Sequence, residues 1–136
     1  MVREIIRDPF ILAKPGDPAG TTDVLIARDL MDTLEANKDR CVGMAANMIG
    51  FSKRIIAVRD GAVSFIMFNP VIIRKEGAFE AEEGCLSLEH TRKTTRYHRI
   101  TVEYGDQLFR KRKGVYEGWI AQIIQHEVDH CNGILI

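Results

Sequence analysis

The run His126-Glu127-Val128-Asp129-His130 narrows the folds open to this chain more than any other stretch, because its side chains can act together on a helix. Four residues apart on a helix, His126 and His130 share one face and can reach the same metal ion. Glu127 points a quarter-turn away, where it can handle a proton of a water molecule. This is the H-E-x-x-H arrangement of hydrolytic metal sites of the zinc type. The plainer reading is a polar surface helix that happens to carry two histidines. Trp119, Ile120, Ile123 and Ile124 recur at helical spacing before the motif, so the helix is expected from about Tyr116. Gly133 should close it, leaving Ile134-Leu135-Ile136 as a short apolar tail.

A second helix is expected nearer the start. Thr21, Thr22 and Asp23 offer N-cap choices, Leu25, Ile26, Leu30, Met31 and Leu34 recur at helical spacing, and the pattern stops near Asn37. Between the helices the chain reads as extended. Arg54 to Val58 is a strand, Asp60-Gly61 a turn, Val63 to Asn69 the hairpin partner, and Pro70 to Ile73 another extended piece. Glu80 to Gly84 is a polar segment, and Ile100 to Tyr104 alternates like a strand with one buried face. After a turn at Gly105-Asp106, the basic run Arg110-Lys111-Arg112-Lys113 reads as a solvated hairpin end in preference to a phosphate patch. Strands in the middle with a helix near each end predict an α+β fold, with small antiparallel sheets packed around a C-terminal metal-binding helix. A length of 136 residues suits one domain spanning 1–136.

Charge and cysteine usage restrict the partners. Nineteen basic residues balance nineteen acidic ones, which gives no electrostatic case for DNA or RNA as the main partner. No stretch approaches the length of a membrane span, and the apolar run after Met1 is too short for a signal peptide. Three cysteines, an odd number, fit a reduced cytoplasmic protein better than a disulfide framework. Monomer and homodimer are both left open.

A catalytic site of this type needs three protein ligands and one open position. Beyond His126 and His130, the third could be Cys85, Cys41, Cys131, His90, His98 or one of several acidic residues. Cys131 follows His130 directly and so points elsewhere around the helix. Cys85 follows Gly84, a residue that lets the backbone come close to something.

Three blocks in order, Gly43-Met44-Ala45-Ala46, Glu83-Gly84-Cys85-Leu86-Ser87 and Gln125-His126-Glu127-Val128-Asp129-His130, resemble the peptide deformylase family, and the resemblance spans roughly the whole chain. It implies a peptide deformylase-like fold and one divalent metal, iron(II) before zinc or nickel, held by Cys85, His126 and His130. The implied substrates are N-formylmethionyl peptides of nascent proteins, met at the ribosome exit, from which formate is removed. Glu127 would be the base and then the acid, and Leu86 would offer a backbone N–H to the developing oxyanion. Val42, Gly43 and Met44 would form an extended edge beside the peptide, with Met48 and Gly84 also lining the substrate site. Asp129, Arg96 and Gln125 would support the ligands from behind.

The chain departs from the family pattern in places. Cys41 stands where the first block has a glycine, and Met48 where it has a glutamine whose amide helps stabilise the oxyanion. Methionine has no N–H to give, and losing one such donor costs about 10²- to 10³-fold in turnover. Asn47 is one position off register and should point away. Glu89 replaces a usual proline, and the sequence stops six residues after His130. Three readings follow: an active deformylase, slowed by Met48; a weak or inactive paralogue that binds metal or formyl peptides; and a different small metal-dependent amidase or peptidase. An ordinary peptidase would draw its third ligand from histidine or a carboxylate.

Overall fold

The computed structural model describes residues 1–136. In chain order it contains helix α1 (Pro9–Leu12), a 3-10 turn (Thr21–Asp23), helix α2 (Val24–Ala36), strand β1 (Gly43–Ala45) and a second 3-10 turn (Ala46–Ile49). Strands β2 (Ile55–Asp60), β3 (Val63–Cys85), β4 (Leu88–Gly105) and β5 (Lys111–Glu117) follow, and helix α3 (Gly118–Cys131) comes last. The strands join in sequential order β1-β2-β3-β4-β5, every neighbouring pair antiparallel. This is the expected α+β class, with the strands hydrogen-bonded into one bent sheet.

Strand β2 explains why the core has two sides. Its side chains alternate in direction. Ile55 and Ala57 enter the cluster with Leu30 and Leu34 of α2, while Ile56 and Val58 enter the cluster with Ala121, Ile124 and Val128 of α3. A strand buried on both faces reads as the unbroken apolar run Ile55-Ile56-Ala57-Val58. The two helices therefore cover opposite faces of the same strand.

Several boundaries differ from the sequence expectation, each for a local reason. Val63–Asn69, Pro70–Ile73 and the polar Glu80–Gly84 segment are parts of one long strand, β3, whose pairing register shifts between Phe68 and Val71 and again between Ile72 and Arg74. Pro70 lies within the first shift, and Asn69 before it has φ +51°, so the missing N–H and the bend are absorbed at a bulge. The strand expected at Ile100–Tyr104 is likewise the end of the longer β4. The basic run is the expected solvated hairpin end, with Lys111 to Lys113 forming the exposed start of the edge strand β5. Asp106 accepts hydrogen bonds from Arg110 and Arg112 at 3.1 and 2.9 Å and turns the chain there. Tyr116 belongs to β5, paired with Ile100, and the helix begins at Gly118, where the backbone turns through φ +67°.

The end of α3 is tied down from three directions. Asn47 Nδ2 donates to the His130 carbonyl at 3.0 Å and to the Leu12 carbonyl at 3.3 Å. Arg54 and the Gly16 N–H both donate to the Cys131 carbonyl. Gly133 sits against the Ala13 carbonyl so closely that no side chain would fit. Carbonyls at a helix C-terminus lack intrahelical partners, and these contacts supply them while fixing where His130 stands.

Candidate active site

The end of β3 and α3 bring Cys85 together with two histidines more than 40 residues further along the chain. Burial alternates along β3, with Glu83 inside, Gly84 outside and Cys85 turned in again, just before the Leu86-Ser87 turn into β4. From α3, His126 and His130 project one turn apart toward the same point. Cys85 Sγ lies 3.3 Å from His130 Nε2, which lies 3.1 Å from His126 Nε2. Tetrahedral bonds of ~2.05 Å to nitrogen and ~2.3 Å to sulfur would set these separations at about 3.6 and 3.3 Å. The donor set thus stands within a few tenths of an ångström of that spacing. No other three His, Cys, Asp or Glu donors in the chain converge so closely.

Both rings turn their Nε2 atoms toward the same point, beside the Cys85 sulfur. His126 Nδ1 bonds Glu83 Oε1 at 2.8 Å, which leaves Nε2 as the ligating atom. His130 Nδ1 is buried with no partner. Burial works against a charge on either ring. In His126 the Cys85 thiol and the Glu83 carboxylate outweigh burial and hold the pKa up to about 10. In His130 burial, reinforced by His126, pushes it down to about 3. Two imidazoles in contact, beside a thiol, make a poor hydrogen-bonding group and a good soft donor set for a divalent metal. The residues present fit such an ion.

Glu83 is the residue that sequence reasoning missed. It is 8% exposed and receives Arg96 Nε on both oxygens, Arg96 Nη2 at 2.7 Å, and Gln122 Nε2 at 2.9 Å in addition to His126. Burial alone would raise its pKa, but hydrogen bonds from His126, Arg96 and Gln122 hold it down to about 2. Two signals pointed to it. It stands two residues before Cys85, hence on the same strand face, and a ligating histidine needs an acceptor for its second nitrogen. Arg96, 3% exposed, also bonds Asp129 at 2.7 Å, so Asp129 is one arm of a larger buried network. Gln125 does not reach a ligand. Its amide clamps the Tyr97 backbone at 2.9 and 2.8 Å and so fastens α3 to β4.

A cavity of about 200 Å³ opens beside the donors, with Val42, Gly43, Met48, Gly84, Leu86 and Glu127 among its walls. Glu127 is buried, its Oε1 has no partner, and burial raises its pKa to about 7. A carboxyl poised there can take and return a proton near neutral pH. β1 is an edge strand, paired only with β2, and Val42 leads into it. Met44 is fully buried in the core, as is Met48, whose sulfur accepts weakly from the Ala45 N–H at 3.5 Å. Asn47 is turned away onto the Leu12 and His130 carbonyls, in keeping with its register.

The other ligand candidates lie elsewhere. Cys41 lines the cavity but bonds the Gly43 carbonyl at 2.8 Å, and burial together with Glu127 raises its thiol to about 12. Cys131 packs in the core under α3. His90 is exposed near the β3–β4 turn, and His98 stacks on Phe79 with ring centroids 4.2 Å apart.

Comparison with known proteins agrees with this geometry. The model of the polypeptide deformylase family matches residues 3–136. A peptide deformylase of Clostridium beijerinckii is 48% identical over 136 residues, covering all of both chains. Among solved structures, a peptide deformylase from Legionella pneumophila superposes with a TM-score of 0.88 at 33% identity, covering 99% of this chain and 83% of that one. A Met-Ala-Ser-bound class I type b peptide deformylase from Acinetobacter baumannii gives a TM-score of 0.89 at 28% identity, covering 99% and 97%. With fold, donor set and full-length sequence in agreement, the chain belongs to the polypeptide deformylase family.

Proposed function

We propose that this chain is a metal-dependent hydrolase that removes the formyl group from N-formylmethionyl peptides, with residues 1–136 acting as one domain. The observation that carries the reading is the convergence of Cys85, His126 and His130 at ligand spacing, next to a buried Glu127 oxygen without a partner. Cys85, His126 and His130 would hold the metal. Once bound, it supplies Lewis acidity, making a water more acidic and a formyl carbonyl more electrophilic. Iron(II) is the ion we assign. A thiolate with two imidazoles also accepts zinc or nickel.

The chain's own residues do the remainder. Glu127 takes the proton of the attacking water and later returns it to the departing amine, base first and acid second. Val42, Gly43 and Met44 receive the peptide backbone along the free edge of β1, as an added strand. The Leu86 N–H faces the oxyanion, and Gly84 lets the peptide pass close to the β3–β4 turn. Glu83 and Arg96 hold the His126 ring, and Asp129 holds Arg96. Met48 supplies no hydrogen bond to the oxyanion, so turnover is slower than a glutamine there would give. The non-catalytic alternative rests on Met48 alone and is not favoured, given an intact donor set, Glu127 and the similarity to curated deformylases.

The substrates are nascent chains reached at the ribosome exit in the cytoplasm. Three free cysteines are compatible with a reducing compartment, and no helix is long and apolar enough to cross a membrane. The test is formate release from a formylmethionyl tripeptide by anaerobically prepared protein loaded with iron(II) or nickel(II). Turnover that vanishes in Glu127→Ala is the expected result. One equivalent of metal bound with no formate above that control would refute the reading.

A further inference from the structure

Gln122 is the one uncharged amide side chain in the walls of the cavity, and nothing in the mechanism above uses it. It lies one helical turn before His126 on the same face of α3, with Trp119 about one turn further back. A methionine side chain is about as long as one helical turn, ~5.4 Å. A residue whose formyl group sits at His126 and Glu127 can therefore run its side chain back along α3 until the sulfur is level with Gln122. The neighbouring wall is apolar, formed by Ile123, Trp119 and Leu86.

The amide is oriented before any ligand arrives. Gln122 Nε2 donates to Glu83 Oε2 at 2.9 Å, and Glu83 is itself fixed by Arg96 and His126. Only one of the two amide hydrogens is used there, and Gln122 makes no other side-chain hydrogen bond within the protein. Resting on the reading of this site as a deformylase, we propose that Gln122 is a specificity-determining residue: its second N–H, aimed by Glu83, donates to the thioether sulfur of the substrate methionine. A thioether is a weak acceptor, whereas a hydrocarbon chain of equal length is none. The site thus discriminates methionine from its methylene isostere, norleucine, which shape and apolar burial alone would not separate. Gln122 is half-buried, and its N–H left unpaired beside norleucine sharpens the difference.

The test compares kcat/KM for formylmethionyl and formylnorleucyl tripeptides on the metal-loaded enzyme, in wild type, Gln122→Leu and Gln122→Met. A net hydrogen bond of this kind corresponds to a preference for methionine of about two- to tenfold. Both variants should erase it. Each also removes a hydrogen bond from Glu83 and can slow the chemistry, but that loss is common to both peptides and cancels in the ratio. A merely structural glutamine would leave the ratio unmoved. Binding of the two deformylated tripeptides, followed by the fluorescence of Trp119 at the cavity wall, the only tryptophan of the chain, gives the same comparison without turnover. A methionine-to-norleucine ratio equal in wild type and both variants, by kinetics or by binding, overturns the assignment. Absence of formate release from either peptide would count against the deformylase reading, and the binding ratio would still decide the role of Gln122.

Discussion

Replacing Glu83 with glutamine isolates how much of this fold depends on the charge behind the metal ligand. The substitution keeps size and one acceptor oxygen but removes the negative charge that faces Arg96 and His126. A carboxyl held at about 2 when its ordinary value is 4.5 is favoured in its charged form by roughly 2.5 units, or on the order of 3 kcal/mol. The side chain is 7% exposed, so little of this is lost to solvent screening. Because the folded-state pKa is depressed, the contribution is complete above about pH 5 and drains away as the pH falls toward 2. Urea unfolding of metal-free wild type and Glu83→Gln should therefore differ by about 3 kcal/mol at pH 7. The gap should narrow by about 1.4 kcal/mol per pH unit below pH 4.5. Chelator competition should show metal held about 10- to 100-fold more weakly in the variant. A stability gap independent of pH, or none at pH 7 with unchanged metal affinity, would refute the network argument.

Three further outcomes follow from the site. Glu127, raised to about 7 by burial, must be ionised to act as base, so kcat/KM should fall about tenfold per pH unit below its folded pKa; a bound dication draws that acid limb below pH 7, and Glu127→Ala should lose the limb together with the activity. Met48→Gln should raise kcat by up to about 10²-fold if the added amide reaches the oxyanion, and a flat response in a folded, metal-loaded variant would remove that position from the mechanism. Gly43→Ala would place a Cβ 2.7 Å from Ile123 Cγ2 and 2.9 Å from Glu127 Oε2, so it should lower kcat more than tenfold by displacing the base while metal content stays the same.

What the sequence disclosed followed the regularity of its physics. The H-E-x-x-H helix and α2 were legible because a 3.6-residue period survives in apolar spacing, and Asn37 and Gly133 mark their ends. The edge strand at Gly43 and the Cys85 block were legible only through resemblance. Where reading failed, tertiary contacts outweighed local signals. Pro70 argues against a strand in isolation, yet β3 runs through it at a bulge bounded by Phe68 and Val71. Glu80 to Gly84 reads only as a polar segment because the partners of its inward acid, Arg96 and His126, lie 13 and 43 residues away. Glu83 opens the Cys85 block and Gln122 carries no motif signature of its own, and only assembled geometry shows that one holds the other.

The separation of the ligands along the chain has a consequence for how this protein reaches its native state. Cys85 closes a strand, while His126 and His130 stand on a helix at least 41 residues later (85 to 126), across β4 and β5. An ion that bridges them is a clip on that long loop as well as a reagent. By analogy with a covalent cross-link, tethering a loop of ~40 residues removes about 4 kcal/mol of freedom from the unfolded chain. The supply of metal during synthesis would then govern how much protein accumulates as well as how fast each molecule turns over, and starvation for the ion would appear first as lost abundance.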